Sequence, residues 1–249
     1  MDNIQNIFNT LYEFLHNMNS LKKLNFTSPL LSILLFLLFT STAFGHGVSG
    51  EDAAFLESVT GFSFFPYLYL GAKHMFTGYD HLLFLAGVIF FLYRMKDVAL
   101  YVSLFAIGHS LTLLIGILGE IRADAYIVDA IIGLSVVYKG FENIGGFKRL
   151  GININTRAAI FLFGLVHGFG LSTKLQDLSL SQESLVGNML SFNIGVELGQ
   201  LAALAFILLA FKFWRQHDCF IKGAVTANLV IMTAGFMLFG YQLTGYFVT

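Results

Sequence analysis

The chain has 249 residues, of which 12% are Asp, Glu, Lys or Arg and 56% are hydrophobic, with Phe alone occurring 28 times. An ordinary soluble domain carries about 25% charged residues, so this composition excludes a soluble globular protein and a disordered chain. The net charge of −1 supplies no field for a polyanion, which excludes a nucleic-acid binder. A polytopic membrane protein remains. The single Cys219 rules out an internal disulfide and any multi-thiolate metal centre. The 25 Gly against two Pro suit closely packed membrane helices.

The first 29 residues are polar and mixed. Lys22 and Lys23 then precede an apolar run from Leu30 to Phe39, followed by Ala43, Phe44, Gly45 and His46. A basic segment, a short apolar segment and small residues at −3 and −1 spell a secretory signal peptide. The predicted signal region is 1–45, with translation starting near Met18 and the mature chain opening at His46. A short extracytoplasmic segment, 46–65, follows.

From there apolar stretches alternate with short polar loops. The predicted fold is all-α: a polytopic membrane helix bundle of six transmembrane helices within 66–246, at 66–93, 98–119, 125–144, 158–177, 185–211 and 223–246. The first span is overlong and holds Thr77 and Gly78 in its middle, where a kink is expected. Arg94, Lys96, Lys148, Arg149, Arg157, Lys212, Arg215 and Lys222 fall in one set of loops, and only Arg122 and Lys174 in the other. The positive-inside rule puts the first set in the cytoplasm. The expected location is the bacterial inner membrane, with the lipid bilayer as partner and both mature termini extracytoplasmic. The two halves would run in opposite directions. Each opens with a His-bearing span (His81, His167), and each second span carries a polar residue (His109, Glu197), the pattern of an inverted repeat.

Ionisable side chains inside a bilayer are costly and mark function. At about 1.5 Å per residue, the midplane of the first span falls near residue 83, next to Asp80 and His81. The midpoints of the second, fourth and fifth spans fall at His109, His167 and Glu197. Four helices thus place a histidine or a carboxylate at one depth. Imidazole with carboxylate suits Ni²⁺, Co²⁺, Zn²⁺, Cu²⁺ and Fe²⁺, and the lack of thiolates disfavours Cu(I). Asp80 serves either as ligand or as the acceptor that fixes a histidine tautomer. For one such histidine taken alone, an interhelical hydrogen bond is the plainer role. Gly164, Gly168, Gly195 and Gly199 let the helices carrying His167 and Glu197 approach closely.

His74 lies seven residues before His81, about 10 Å along a regular helix, too far for one ion. The two are therefore successive stations unless the helix breaks at Gly78. His74, Asp129 and Glu120 lie toward the outer side, where Glu51, Asp52 and Glu57 would help collect cations, and a free amine and imidazole at His46 would chelate. Glu142 stands three residues after Lys139, the spacing of a helix-surface ion pair.

These residues carry a resemblance. His74-Met-Phe-Thr-Gly78-Tyr-Asp80-His81 resembles the H-x5-DH motif of HupE/UreJ-type proteins. Gly108-His109-Ser110-Leu111-Thr112-Leu113, Glu142-Asn143, Gly164-Leu-Val-His167-Gly168-Phe-Gly170 and Phe192-Asn193-Ile-Gly195-Val-Glu197-Leu-Gly199-Gln200 look like blocks of the second subfamily. The likeness runs from about 62 to 246. The hydrogenase-linked members carry a second motif with two His and a Glu. Here His167 matches it, while Phe163 and Gly170 stand at the other two positions, and Asn193, Glu197 and His109 are candidates for the missing ligands. The resemblance implies an accessory membrane protein of nickel hydrogenase or urease systems, a nickel or cobalt permease, with metalloenzyme maturation machinery as a possible partner.

The expected function is an inner-membrane permease or binding protein for a divalent transition metal, Ni²⁺ or Co²⁺ first and Zn²⁺ next, held by His74, Asp80, His81, His109, His167 and Glu197. Asp129, Asn193, Glu142 and His46 stand behind or on the way to that set. No catalytic residue is assigned, and no P-loop pattern is present to use ATP. The alternatives are an intramembrane zinc-dependent hydrolase, with Ser110 or Glu197 assisting, and a non-transporting accessory protein of metallocentre assembly.

Overall fold

The computed structural model describes residues 50–178, 180, 183–217 and 219–248. The expected signal region 1–45, Met18 and His46 lie outside the described residues. Those described are helical, with no strand among them. In chain order the helices are α1 Gly50–Ser58, α2 Phe64–Thr77, α3 Tyr79–Ile89, α4 Met95–Leu118, α5 Ala125–Asn143, α6 Gly146–Arg149, α7 Thr156–Gln176, α8 Leu185–Arg215 and α9 Cys219–Val248. By length and composition α4, α7, α8 and α9 are each sufficient to cross a membrane, and α3 is a shorter apolar helix. The chain is a helical membrane protein.

Local chemistry sets several helix ends. Asp124 precedes α5 and its side chain accepts the N–H of Ile127 at 3.0 Å, while Asn155 precedes α7 and accepts that of Ala158 at 3.3 Å. Short polar side chains at this position satisfy backbone donors that the first turn leaves open. At the far end of α3, Arg215 of α8 donates to three carbonyls, Ile89 at 2.6 Å, Phe90 at 2.7 Å and Leu92 at 3.0 Å. Its guanidinium also lies 4.6 Å from the centre of the Tyr93 ring. Asn143, at the end of α5, donates to Gly87 O and to Asn228 Oδ1 of α9, both at 2.8 Å. The short helix α3 is thereby tied to α5, α8 and α9.

Three helix pairs carry most of the packing: α4 with α7, α5 with α9, and α2 with α8. Two apolar clusters result. One surrounds α3, with Phe84, Phe90, Phe105, Val136, Phe211 and Phe220. The other surrounds α2, with Leu56, Tyr67, Met75, Leu171, Met189 and Phe192. The histidines touch both, since the His74 ring lies 6.3 Å from that of Phe192 and the His81 ring 6.2 Å from that of Phe105.

One expectation changes. The first span, expected as a single kinked helix over 66–93, is two helices, α2 and α3, with Gly78 between them in an extended conformation (φ −76°, ψ 95°).

Candidate metal centre

The interruption between α2 and α3 builds the site. Thr77 Oγ1 turns back onto the carbonyl of Lys73 at 3.0 Å, a side-chain bond that bends helices. Gly78, a poor helix former, then leaves the helical region while its N–H still donates to His74 O at 2.9 Å. A Cβ at position 78 would lie 2.8 Å from His81 Nδ1 and 3.2 Å from His74 O, so only glycine fits between the two histidines. Their ring centres are 5.1 Å apart. The expectation of two successive stations gives way to its alternative, a broken helix that folds His74 and His81 into one set.

Two further helices complete the cluster. The His81 ring centre lies 5.7 Å from that of His109 on α4 and 5.0 Å from that of His167 on α7. One ligand atom from each of His74, His81 and His109 falls within 4.8 Å of the others. Zinc–imidazole bonds are about 2.0–2.1 Å, so nitrogens sharing an ion stand closer than this, and small side-chain rotations close the set. Burial is deep: His167 is 0% exposed, His81 and His109 are 1% and His74 is 7%.

Neighbours orient the rings. Asp80 Oδ1 lies 3.2 Å from His81 Nδ1 and also accepts the His81 backbone N–H at 2.9 Å. The Phe163 carbonyl lies 2.7 Å from His167 Nδ1. A proton on Nδ1 in each case leaves the Nε2 lone pair for a metal, the carboxylate–histidine and carbonyl–histidine arrangement common behind metal ligands. Asp80 is therefore placed as the orienting acceptor. Neither ring nitrogen of His109 has a hydrogen-bond partner among the described residues. A buried imidazole left so is expensive, and an ion would satisfy it. Aromatic side chains dry the cluster: the Phe105 ring lies 4.9 Å from that of His167 and 6.1 Å from that of His109, and Phe84 lies 5.4 Å from His167. The residues present thus fit a nitrogen-rich divalent transition-metal site.

Other sequence candidates fall elsewhere. Glu197 lies on an exposed face of α8, where its carboxylate accepts Ser110 Oγ at 3.3 Å. The glycines decide this: Gly195 and Gly199 turn toward α2, against the carbonyls of Leu68 and Ala72, and carry Glu197 away from the histidines. Asn193 is buried, with Oδ1 lacking a partner among the described residues. Glu142 is held by Lys139 Nζ at 2.5 Å and by Thr156 Oγ1, the i,i+3 ion pair anticipated from spacing, but with Lys139 buried rather than on the helix surface. Asp129 accepts Lys174 Nζ at 2.6 Å.

Sequence reasoning missed Lys174 and Arg215 as half-buried residues with partners on other helices, because both were read as loop charges. Lys174 sits seven residues after His167, two turns along one helix face, and that spacing was the available signal.

Comparison with known proteins gives one match. The model of the family described as HupE / UreJ protein matches residues 50–249. No curated protein and no solved structure matches the chain. With a broken helix, a buried histidine cluster and this match across most of its length, the chain belongs to the HupE / UreJ protein family.

Proposed function

We propose that this protein is an inner-membrane permease for a divalent transition-metal ion, Ni²⁺ or Co²⁺ first. The observation that carries the reading is the convergence of His74, His81 and His109, from three helices, on one buried point, with the His167 ring of a fourth helix 5.0 Å from that of His81. Family membership adds the metal-related role. Six crossings are proposed, with α2 and α3 together forming the first, then α4, α5, α7, α8 and α9. The basic loops face the cytoplasm, and residues 1–45 act as a signal peptide whose removal leaves His46 first.

The metal is cargo. It approaches from outside past the acidic residues near α1, and His74, His81, His109 and His167 exchange for its water ligands. Asp80 holds the His81 ring in its ligating orientation, and the phenylalanines keep competing water out. A potential negative inside contributes about 2.3 kcal/mol per charge per 100 mV, roughly doubled for a divalent ion, so inward movement needs no nucleotide. The reading favours transport over hydrolysis, because Ser110 and Glu197, the candidate assistants of a catalytic zinc, bond to each other on the exposed surface rather than facing the histidines.

Equilibrium dialysis of tag-free, detergent-purified protein against Ni²⁺ tests the site. One exchangeable ion per chain is expected, and about a hundredfold weaker binding by His81→Ala. Unchanged binding by that variant would remove the histidine cluster from the account. Tightly held zinc that survives dialysis would favour the hydrolase.

A further inference from the structure

The two halves share a register. Gly71-x-x-His74-x-Phe76 of α2 repeats as Gly164-x-x-His167-x-Phe169 of α7. Phe105-x-Ile107-Gly108-x-x-Leu111 of α4 repeats as Phe192-x-Ile194-Gly195-x-x-Leu198 of α8. The packing repeats with it. A Cβ on Gly71 would strike the carbonyl of Phe192, and one on Gly164 that of Phe105, the counterpart of Phe192. A Cβ on Gly195 would strike the carbonyl of Leu68, and one on Gly108 that of Phe161. Gly199 lies against the carbonyl of Ala72, and Thr112, the counterpart of Gly199, donates to the carbonyl of Leu165 at 2.6 Å.

Some counterparts meet each other. Ser110 and Glu197 occupy equivalent positions and are hydrogen-bonded at 3.3 Å. Gly133 and Gly235, equivalent in α5 and α9, each face the other's backbone. Residues that touch their own counterparts lie on a twofold axis. With the three crossings proposed for each half, such an axis would lie in the membrane plane. The counterpart of His74 is His167. Sequence depth alone had matched His167 with His81.

Seven residues beyond each of these come His81 and Lys174. At these register positions the first half carries two imidazoles and the second an imidazole and an ammonium, but the break at Gly78 folds His81 onto His74 whereas α7 runs unbroken to Gln176, which leaves Lys174 two turns beyond His167. The helical Cβ direction leans Lys174 back toward His167, and its Nζ donates to Asp129 Oδ2 at 2.6 Å. Asp129 is 6% exposed, and its other oxygen lies 3.4 Å from where a Cβ on Gly170, one turn past His167, would stand.

We infer that Lys174, whose partner Asp129 packs against Gly170 one turn past His167, is the resident cation of the site: it holds Asp129 in the metal-free protein, and an arriving divalent ion displaces it. The inference rests on reading the histidine cluster as a metal site. Asp80, Asp129 and Lys174 carry a formal charge of −1, and a divalent ion brings this to +1. Lys174 thus keeps the empty site from accumulating anionic charge in a low-dielectric interior, and its return to Asp129 promotes release. Its charge opposes binding, whereas that of Asp129 favours it.

Ni²⁺ affinity of tag-free, full-length protein tests this through opposite signs. Lys174→Met is expected to bind about tenfold tighter and Asp129→Asn about tenfold weaker. The double variant should return near wild type, and Lys174→Arg, which keeps the charge, should match wild type. An ion pair serving only stability would leave affinity unchanged or weaken it in both single variants, and either result for Lys174→Met overturns the inference. If Lys174→Met does not fold, the double variant decides, because it must bind tighter than Asp129→Asn, and equal affinity overturns the inference. Wild-type protein that binds no Ni²⁺ would sink the metal site and this inference together. Wild-type binding that is lost in His81→Ala but unmoved by Lys174→Met would sink only the role of Lys174.

Discussion

His109 shows most directly what the cluster gives up for function. Its ring is buried, and neither nitrogen has a hydrogen-bond partner among the described residues, so it contributes desolvation without compensation. Phe105, packed 6.1 Å away, shows that an aromatic ring suits the surroundings. His109→Phe is expected to raise the melting temperature of the metal-free protein by about 2–4 °C and to weaken Ni²⁺ binding. Thermal unfolding with and without Ni²⁺ checks both. A variant less stable without metal would mean that the imidazole is anchored by contacts other than an ion. At this scale the sequence was silent about direction. Hydropathy placed His109, His167 and Glu197 at one level, but only packing decides which way a side chain faces. Glu197 turned outward because the glycines beside it serve the contact with α2. Lys174 was hidden for the opposite reason, since a lysine near a span end reads as a loop charge until a buried carboxylate on another helix is known.

Among the elements, the interrupted helix is the decisive one. A continuous helix would hold His74 and His81 about 10 Å apart, and the break brings their ring centres to 5.1 Å. Thr77 and Gly78 made this break legible in the sequence. What the sequence could not supply was the closeness of its two sides, which depends on the absence of a Cβ between the imidazoles. Gly78→Ala is expected to keep the helical content of the protein, because alanine favours helix. It should weaken Ni²⁺ affinity by about tenfold or more, as the added methyl forces the two rings apart. Circular dichroism and the same dialysis measurement check the pair of outcomes, and wild-type affinity would show that the two rings do not act on one ion. The far end of α3 is fixed by Arg215 and Asn143, so adjustment of the site falls on the Gly78 end. Their partners are backbone carbonyls, which no side-chain pattern announces.

For the whole molecule, low charge and high hydropathy made membrane residence readable at once, and the five blocks along the chain made the family readable. The repeat was visible only as a parallel between halves. Its true register emerged from which glycine meets which carbonyl, and it moved the partner of His167 from His81 to His74. An inverted pair of halves around a central ion site is the architecture by which transporters expose one site to two sides, and the proposed function would draw on the same arrangement. The most direct measurement is Ni²⁺ uptake by proteoliposomes containing the purified protein, with a potassium gradient and valinomycin setting the interior negative. The account predicts uptake that grows with the potential, without ATP, and that falls at least tenfold for His81→Ala and His167→Ala. Uptake that equals protein-free vesicles, or that is unchanged in both variants, would contradict it.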